Sequence, residues 1–291
     1  MLLKRLSKIV CLVLLVMVLC SCGIQLPEGR AMDDQGVGVV KPAATPGPKA
    51  TIIPSISPTP ELVKELPTST PPVITPENKP LAGRVICVDP GHQSVMKKQN
   101  VPVAPGEEVM MPDFAIGTKG VSTGVFEYTV VLEVSQKLRD SLEELGAEVV
   151  MTREATDTLI GSIERAQIAN DAQADIFIRI HCDGSDIPEA KGISVLYPGD
   201  KYITDKDMLD KSLALSKSVL NSVIKETQAK DRGLSERNDL VGFNYCKVPC
   251  TLIEMGFMTN PDEDKLLNSD SYQDKLVKGI VAGISNYLDS E

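Results

Sequence analysis

Residues 85–94 read VICVDPGHQS, an apolar run of strand length that ends in Asp-Pro-Gly-His. Further apolar runs of the same kind follow along the chain: AEVVMTR, ADIFIRIH, GISVLYP and PCTLIEM. Longer amphipathic stretches alternate with these runs, which is the pattern of β-α-β units. The sequence therefore predicts an α/β domain built around a mainly parallel sheet.

Four stretches carry the apolar period of an amphipathic helix. In the first, FEYTVVLEVSQKLRDSLEELG, apolar residues from Val131 to Leu145 recur at intervals of three and four, and Gly146 follows as a C-cap. The others are LIGSIERAQIANDAQ, KDMLDKSLALSKSVLNSVIKETQ and SYQDKLVKGIVAGISNYLDS. The sequence predicts a helix over each of the four.

Residues 1–25 read MLLKRLSKIVCLVLLVMVLCSCGIQ, with a short basic start, an apolar centre and small residues before Cys22. The apolar centre is too short for a membrane span, which needs about 20 apolar residues. Its end, LCSC, resembles a bacterial lipobox in which Cys22 is lipidated and becomes the mature N-terminus. Residues 1–22 are therefore predicted to be a lipoprotein-type signal peptide that leaves the protein anchored to the membrane, outside the cytoplasm. An uncleaved anchor or a simple signal peptide is the alternative.

Residues 23–80 are rich in Pro, Thr and Ser, as in PAATPGPKATIIPSISPTP. A segment of this composition buries too little apolar surface to offset the entropy of the chain, so we expect a disordered, extended tether. Residues 81–291 would then form a single domain of catalytic size.

The chain has seven cysteines, of which three belong to the predicted signal peptide and lipidation site. The spacing of the others does not match a paired CxxC zinc motif. We interpret them as buried thiols, which behave as small apolar side chains, with a disulfide between the last two as the alternative. They are Cys87, Cys182, Cys246 and Cys250.

The net charge is −10 at pH 7, from 30 basic and 40 acidic residues. Nucleic-acid binding is driven by Lys and Arg side chains that neutralise phosphates, and the sequence shows no basic stripe. A nucleic-acid partner is therefore not expected.

Polar side chains stand at the ends of three predicted strands. His92 follows the first strand, His181 ends the third and Glu254 ends the fifth, and the two histidines are the only ones in the chain. In open α/β sheets, sites assemble at this carboxyl edge. Glu127 begins the first helix at the same edge, on the apolar face of that helix. A carboxylate on a buried face is costly unless it is paired or bound to a metal.

Two imidazoles and one carboxylate are a common ligand set for catalytic Zn²⁺. The sequence therefore predicts a zinc site at His92, Glu127 and His181, with Glu254 as the base that manages the proton of a zinc-activated water. Structural roles are the alternative, since a histidine at a strand end is often only hydrogen-bonded and a glutamate in a first helical turn is favoured by the helix dipole.

Five stretches resemble, in order, the zinc-dependent N-acetylmuramoyl-L-alanine amidases of the amidase-3 type. They are VICVDPGHQ, TGVFEYTVVLEVSQKLRDSLEELGAEVVMTRE, ERAQIANDAQADIFIRIHCDGS, DRGL and TLIEMGFMTNPDED. The resemblance covers nearly all of residues 84–288. It implies a twisted, mostly parallel six-stranded sheet flanked by helices.

The same resemblance implies a reaction and a place of action. The bond cleaved would be the amide between the lactyl group of N-acetylmuramic acid and the L-alanine of the stem peptide, so the partner would be peptidoglycan at the cell wall. His92, Glu127 and His181 would be the zinc ligands and Glu254 the catalytic glutamate. An activating partner protein is left open.

The chain departs from the family pattern after the second zinc histidine, where Cys182 and Asp183 replace a small residue and Asn. We expect Asp183 to contact substrate there. Arg232 in DRGL is expected to bind a carboxylate of the stem peptide, since a guanidinium can do so bidentately. Arg165 and Asn170, on a predicted helix, are expected to tie loops together rather than touch substrate.

Residues 93–126 form a long segment with several Gly and Pro and no clear period. A loop of this length is usually functional. We expect either a lid that covers the zinc or shapes the substrate groove, or a surface insertion.

Two other functions compete with the zinc amidase. One is a catalytically silent, peptidoglycan-binding regulator of wall enzymes with the same fold, which the loss of a ligand or of the glutamate would indicate; none is lost. The other is a cysteine hydrolase in which His181 activates Cys182. Neighbouring residues of a strand point to opposite faces of a sheet, which disfavours that pairing.

Overall fold

The structure, a computed structural model, describes residues 79–291. The predicted signal peptide, the lipidation of Cys22 and all but the last two residues of the predicted tether lie outside the described residues. None of the helices within residues 79–291 is long and apolar enough to cross a membrane.

Six strands form the central sheet. They are β1 (Val85–Pro90), β4 (Glu148–Met151), β5 (Ile176–Asp183), β6 (Ile193–Pro198), β7 (Asp231–Arg237) and β8 (Cys250–Phe257). Their order across the sheet is β4-β1-β5-β8-β6-β7, and every neighbouring pair is parallel except β6 and β8. The mostly parallel six-stranded sheet is therefore confirmed.

Six helices accompany the sheet. They are α1 (Glu127–Glu144), α2 (Ser162–Asp171), α3 (Lys206–Thr227), α4 (Val241–Asn244), α5 (Pro261–Leu267) and α6 (Asp270–Leu288). The four predicted helices correspond to α1, α2, α3 and α6. Gly146 follows the C-cap residue Leu145 and adopts a φ of 97°, a conformation that favours glycine.

Apolar residues cover the sheet on both faces. On one face, residues of α1, α3 and α6 pack against alternate strand residues such as Ile178 and Ile180. On the other face, α2 and α4 pack against Phe177 and Leu252. A parallel sheet covered on both faces is buried throughout its centre, so the predicted α/β domain is confirmed.

The segment 93–126 contains a small antiparallel hairpin, formed by β2 (Asn100–Pro102) and β3 (Met110–Pro112). It is attached to the rest of the domain at two points. Nδ2 of Asn244 donates a hydrogen bond of 2.8 Å to the carbonyl of Val103, and Oδ1 of Asp113 accepts one of 2.7 Å from the amide of Ser162 at the start of α2. The hairpin is therefore fixed against α4 and α2.

The four cysteines of the domain are free and buried: Cys87, Cys182, Cys246 and Cys250. Their interpretation as buried thiols is confirmed. The structure does not contain the alternative disulfide between Cys246 and Cys250 within the described residues.

Candidate active site

The predicted site residues meet at the carboxyl edge of the central strands. β1 and β5 run side by side, with Pro90 opposite Ile180, and the amide of Gly91 donates a hydrogen bond of 2.9 Å to the Ile180 carbonyl. This pairing brings the loop after β1, with His92, against the end of β5, with His181. His181 and Glu254 were predicted to end their strands, but both strands extend further. β5 continues two residues beyond His181, and β8 continues three residues beyond Glu254.

Three candidate ligand atoms form a nearly equilateral triangle. Nε2 of His92 lies 3.2 Å from Oε1 of Glu127, Nδ1 of His181 lies 3.3 Å from the same oxygen, and the two nitrogens lie 3.2 Å apart. A tetrahedral zinc ion with bonds of about 2.0–2.1 Å separates its ligands by about 3.3–3.4 Å. The donor set and its spacing therefore fit a zinc ion, and these three residues form a candidate metal site in the described chain.

Glu127 is held in place as a buried anion. Its side chain is 2% exposed, and its two oxygens accept hydrogen bonds from the backbone amides of Cys182 and Thr118, at 3.0 and 2.9 Å. Burial alone would raise the pKa of Glu127, but hydrogen bonds with His181 and His92 hold that pKa well below its ordinary value. The carboxylate is therefore ionised at neutral pH, as a metal ligand must be.

Both histidines can offer a lone pair to a metal. Nδ1 of His92 lies 3.0 Å from the carbonyl of Ala115 and donates to it, which leaves Nε2 free to bind on the other side of the ring. Burial lowers the pKa of His181 to about 4, so its imidazole is neutral at pH 7. A ring nitrogen of each histidine and one carboxylate oxygen thus face one another.

Two glycines make room for these side chains. A Cβ added at Gly91 would lie 2.3 Å from Cε1 of His181, and one added at Gly117 would lie 2.5 Å from Oε2 of Glu127. His92 itself has a φ of 57°, in the left-handed region that non-glycine residues rarely adopt. Backbone strain of this kind concentrates at functional sites. Here it accompanies the close approach of the three donors.

Glu254 lies beside the candidate metal site. It is paired in register with His181 across β5 and β8. Its Oε2 is buried and makes no hydrogen bond within residues 79–291, and the same is true of Nε2 of His181. Burial, together with the charges of Glu127 and Asp183, raises the pKa of Glu254 well above its ordinary value. A carboxyl group with a raised pKa and a free oxygen is suited to accept and return a proton.

Arginines fix the Asp-Pro-Gly-His turn that carries His92. Arg165 donates to the carbonyls of Pro90 and His92, at 2.7 and 3.0 Å, and also binds the buried carboxylate of Asp89. Arg153 donates to the carbonyls of Pro90 and Gly91, at 2.9 and 2.8 Å. The turn is thereby held by side chains from outside β1.

The prediction that Arg165 and Asn170 tie loops together is confirmed. Arg165 holds the turn after β1, as described above. Asn170 donates to the carbonyl of Tyr245 at 2.9 Å and accepts from the amide of Lys247 at 2.8 Å. Both side chains of α2 therefore join separate segments of the domain.

A cavity of about 370 Å³ opens next to the candidate metal site. Its lining includes His92, His181 and Glu254. Met111, Pro112, Asp113 and Ala115 also line it, so the segment 93–126 forms part of the cavity wall rather than a surface insertion. Of the predicted alternatives, this position favours a segment that shapes a groove, which stays a prediction.

The two predicted substrate residues lie outside the lining of this cavity. Asp183 ends β5 and is half-buried, and its pKa is raised by burial. Arg232 is exposed on β7 and lies 4.8 Å above the ring of Phe257. Three arginines line the cavity instead: Arg165, which also holds the turn after β1, and Arg179 and Arg237, which were not predicted from the sequence. One signal pointed to Arg179: it is a charged residue inside the apolar run ADIFIRIH.

Cys182 faces away from the site. Its side chain is 5% exposed and packs in the apolar core with residues of α1 and α6. Burial raises the pKa of its thiol well above the ordinary value. A reactive cysteine needs a depressed pKa and access to substrate, so the structure gives the cysteine hydrolase no support.

A donor set of two histidines and one glutamate, beside a further glutamate at the carboxyl edge of an α/β sheet, is typical of metal-dependent hydrolases. Residues 86–286 match the protein family described as N-acetylmuramoyl-L-alanine amidase. The chain belongs to this family, and it is a peptidoglycan amidase.

The chain is also similar to individual proteins over most of its domain. The chain is 30% identical over 211 residues to the uncharacterized protein YqiI of Bacillus subtilis, covering 72% of this chain and 88% of that one. It is 28% identical to the germination-specific N-acetylmuramoyl-L-alanine amidase of Bacillus subtilis, covering 73% and 83%. The crystal structure of the amidase Ami1 from Mycobacterium smegmatis matches with a TM-score of 0.66 at 27% identity, covering 72% and 99%.

Proposed function

We propose that the protein is a zinc-dependent N-acetylmuramoyl-L-alanine amidase in which His92, Glu127 and His181 hold the metal and Glu254 handles the proton. One observation carries this proposal. Three donor atoms lie 3.2–3.3 Å from one another, next to a glutamate that has a buried, unpartnered oxygen among the described residues. Two imidazoles and a carboxylate that converge on one point are a donor set suited to a zinc ion.

Zinc bound at this place would polarise the scissile carbonyl and lower the pKa of a water to about 7. Glu254 would accept the proton of the attacking water and return it to the amine of the leaving L-alanine, because its carboxyl group lies beside the donor triangle and has an oxygen without a partner among the described residues. Gly91 and Gly117 keep the backbone close enough for the three ligands to converge. The buried arginines hold the turn of His92 while the reaction proceeds.

The substrate of the proposed reaction is the amide between N-acetylmuramic acid and L-alanine in peptidoglycan. The protein would reach it from the membrane, outside the cytoplasm, through lipid on Cys22. A disordered tether over residues 23–80 has an average reach of roughly 40 Å. Such a reach suits an enzyme that is anchored to the membrane and acts on the nearby wall.

The proposal is tested by digesting purified peptidoglycan with the full-length protein and identifying the products by mass spectrometry. We expect free peptides that begin with L-alanine and glycan strands with unsubstituted lactyl groups. Protein that binds peptidoglycan but releases no such peptide, with metal present, would favour the catalytically silent regulator instead.

A further inference from the structure

The cavity beside Glu254 contains a buried guanidinium with unused donors. Arg179 is 6% exposed, and its Nε donates a hydrogen bond of 2.8 Å to Oδ2 of Asp89. Its two Nη nitrogens make no hydrogen bond to any residue in the range 79–291. These nitrogens are not among the fully buried unpartnered atoms of residues 79–291, so they keep some contact with solvent. Arg179 lines the cavity, so its free donors are accessible to a ligand there.

Arg179 shares its buried counter-ion with a second arginine. One carboxylate, that of Asp89, binds the guanidinium groups of both Arg165 and Arg179. The side of the Arg179 guanidinium that does not bind Asp89 can therefore stabilise a carboxylate that enters the cavity.

A second guanidinium lines the same cavity. Nε and Nη2 of Arg237 bind the two oxygens of Asp239, at 2.7 and 2.8 Å. Nη1 of Arg237 makes no hydrogen bond with the described part of the chain. Arg179, Arg237 and Glu254 line one cavity, so both guanidinium groups lie near the proposed reaction centre.

We propose that Arg179 and Arg237 form a subsite that binds a carboxylate of the stem peptide, beyond the L-alanine at which the chain is cleaved. Guanidinium groups are suited to this because they bind a carboxylate through two parallel hydrogen bonds. Leu196, Leu240 and Leu252 supply apolar walls to the same cavity. Arg232, for which this role was predicted from the sequence, lies outside the cavity lining.

This subsite rests on the proposed amidase function, and it predicts substrate selectivity. Two synthetic muramyl peptides would be compared that differ only in a carboxylate or a carboxamide on the residue after L-alanine. A hydrogen bond to a charged group contributes about ten- to a hundredfold in affinity. We expect the full-length wild-type enzyme to prefer the carboxylate peptide in kcat/KM by a factor in this range, with the difference mainly in KM.

The diagnostic variant is Arg237→Gln, because Arg237 is more exposed than Arg179 and its replacement is less disruptive to folding. In this variant, kcat/KM for the carboxylate peptide should fall to that of the carboxamide peptide, with zinc content and thermal midpoint unchanged. Arg237→Lys, which keeps the charge and loses the planar fork, should recover part of the preference. Arg232→Gln is the matched variant on the same strand, and it should keep the full preference.

Several outcomes would overturn the subsite. Equal kcat/KM for both peptides in the wild type would do so and would leave the amidase function standing. A preference that survives Arg237→Gln and disappears in Arg232→Gln would move the carboxylate site to Arg232. If the wild type cleaves neither peptide, the proposed function fails, and the subsite is then tested by calorimetric binding of the two peptides. Tighter binding of the carboxylate peptide would support the subsite, and equal binding of both peptides would overturn the subsite.

Discussion

His181 and Glu254 lie opposite each other on neighbouring parallel strands, and each presents one buried polar atom that has no partner among the described residues. Buried polar atoms are nearly always hydrogen-bonded in folded proteins, so exceptions of this kind point to a functional group or a bound species. We propose that the scissile amide meets the metal site beside this pair, with the metal held through the other ring nitrogen of His181, Nδ1.

Glu254→Gln separates proton transfer from metal binding. Glutamine has nearly the same size and cannot accept the proton, so we expect the release of stem peptides to fall by a factor of about 10²–10⁴. Zinc content should stay at the wild-type value, because Glu254 is not one of the three donor atoms. Peptide release at the wild-type rate would exclude Glu254 from the reaction.

Gly91→Ala should weaken metal binding without touching a ligand. The added Cβ would lie 2.3 Å from the ring of His181, so the imidazole has to move and the triangle of donors opens. We expect weaker zinc binding, measured by competition with a chelator of known affinity. Gly106→Ala is the control, since it has open space and only a backbone cost of about 1–2 kcal/mol at its φ of 83°. Equal zinc affinity in both variants would show that Gly91 does not position His181.

Cys182→Ala tests the cysteine hydrolase. The thiol packs in the core, so its loss should lower stability modestly, by about 1–2 kcal/mol in chemical denaturation, and should leave hydrolysis intact. Loss of hydrolysis with zinc still bound would instead support the hypothesis that Cys182 is a nucleophile.

Asp89→Asn should destabilise the domain by about 3–5 kcal/mol, because two guanidinium groups lose their buried counter-charge. Asp210→Asn, which removes an exposed ion pair with Lys206, is the control and should cost close to nothing. Both values come from chemical denaturation at pH 7. A loss at Asp89 no larger than at Asp210 would contradict the structural role of the buried cluster.

The stabilising effect of Asp89 should depend on pH in a defined direction. Burial alone would raise its pKa, but Arg165, Arg179 and Thr152 hold the pKa of Asp89 well below its ordinary value. The unfolded chain therefore takes up the proton first as the pH falls. The contribution of Asp89 should be complete above about pH 4, the ordinary value, and should disappear as the pH falls through the depressed pKa. A difference between wild type and Asp89→Asn that grows on acidification would contradict this assignment.

Cys22→Ser tests the proposed anchor. Replacing the thiol removes the site of lipid attachment, so we expect no incorporation of labelled fatty acid and a mature protein that leaves the membrane fraction or stays unprocessed. Unchanged labelling and fractionation would show that Cys22 is not the lipidated residue.

Much of the fold was predictable because the central strands and the long helices carry strong periodic patterns. β7 was not predicted because its sequence, DRGLSER, is polar and shows no apolar run. The strand lies at the edge of the sheet and is partly exposed, so it does not need apolar side chains throughout. The hairpin of β2 and β3 was missed because strands of three residues show no period. The short helices α4 and α5 contain too few residues for a helical pattern.

The candidate metal site was predictable for a different reason. His92 and His181 lie near the carboxyl ends of strands, where a polar side chain after an apolar run is conspicuous. Glu127 lies on the apolar face of a helix, where a carboxylate is unusual. Arg179 and Arg237 were not predicted, because their role depends on contacts that sequence order does not show: Arg179 binds Asp89, on another strand and 90 residues earlier in the chain. Which arginines face the reaction centre depends on the position of the cavity, and the sequence alone does not show that position.

The central claim is that one metal ion sits among His92, Glu127 and His181 and is required for hydrolysis. The most direct test is elemental analysis of the full-length protein and of His181→Ala, with stem-peptide release measured before and after chelation. We expect one zinc per chain in the wild type, little or none in the variant, and hydrolysis that a chelator abolishes and added zinc restores. Peptide release that persists without metal in the wild type, or full zinc content in His181→Ala, would contradict the account.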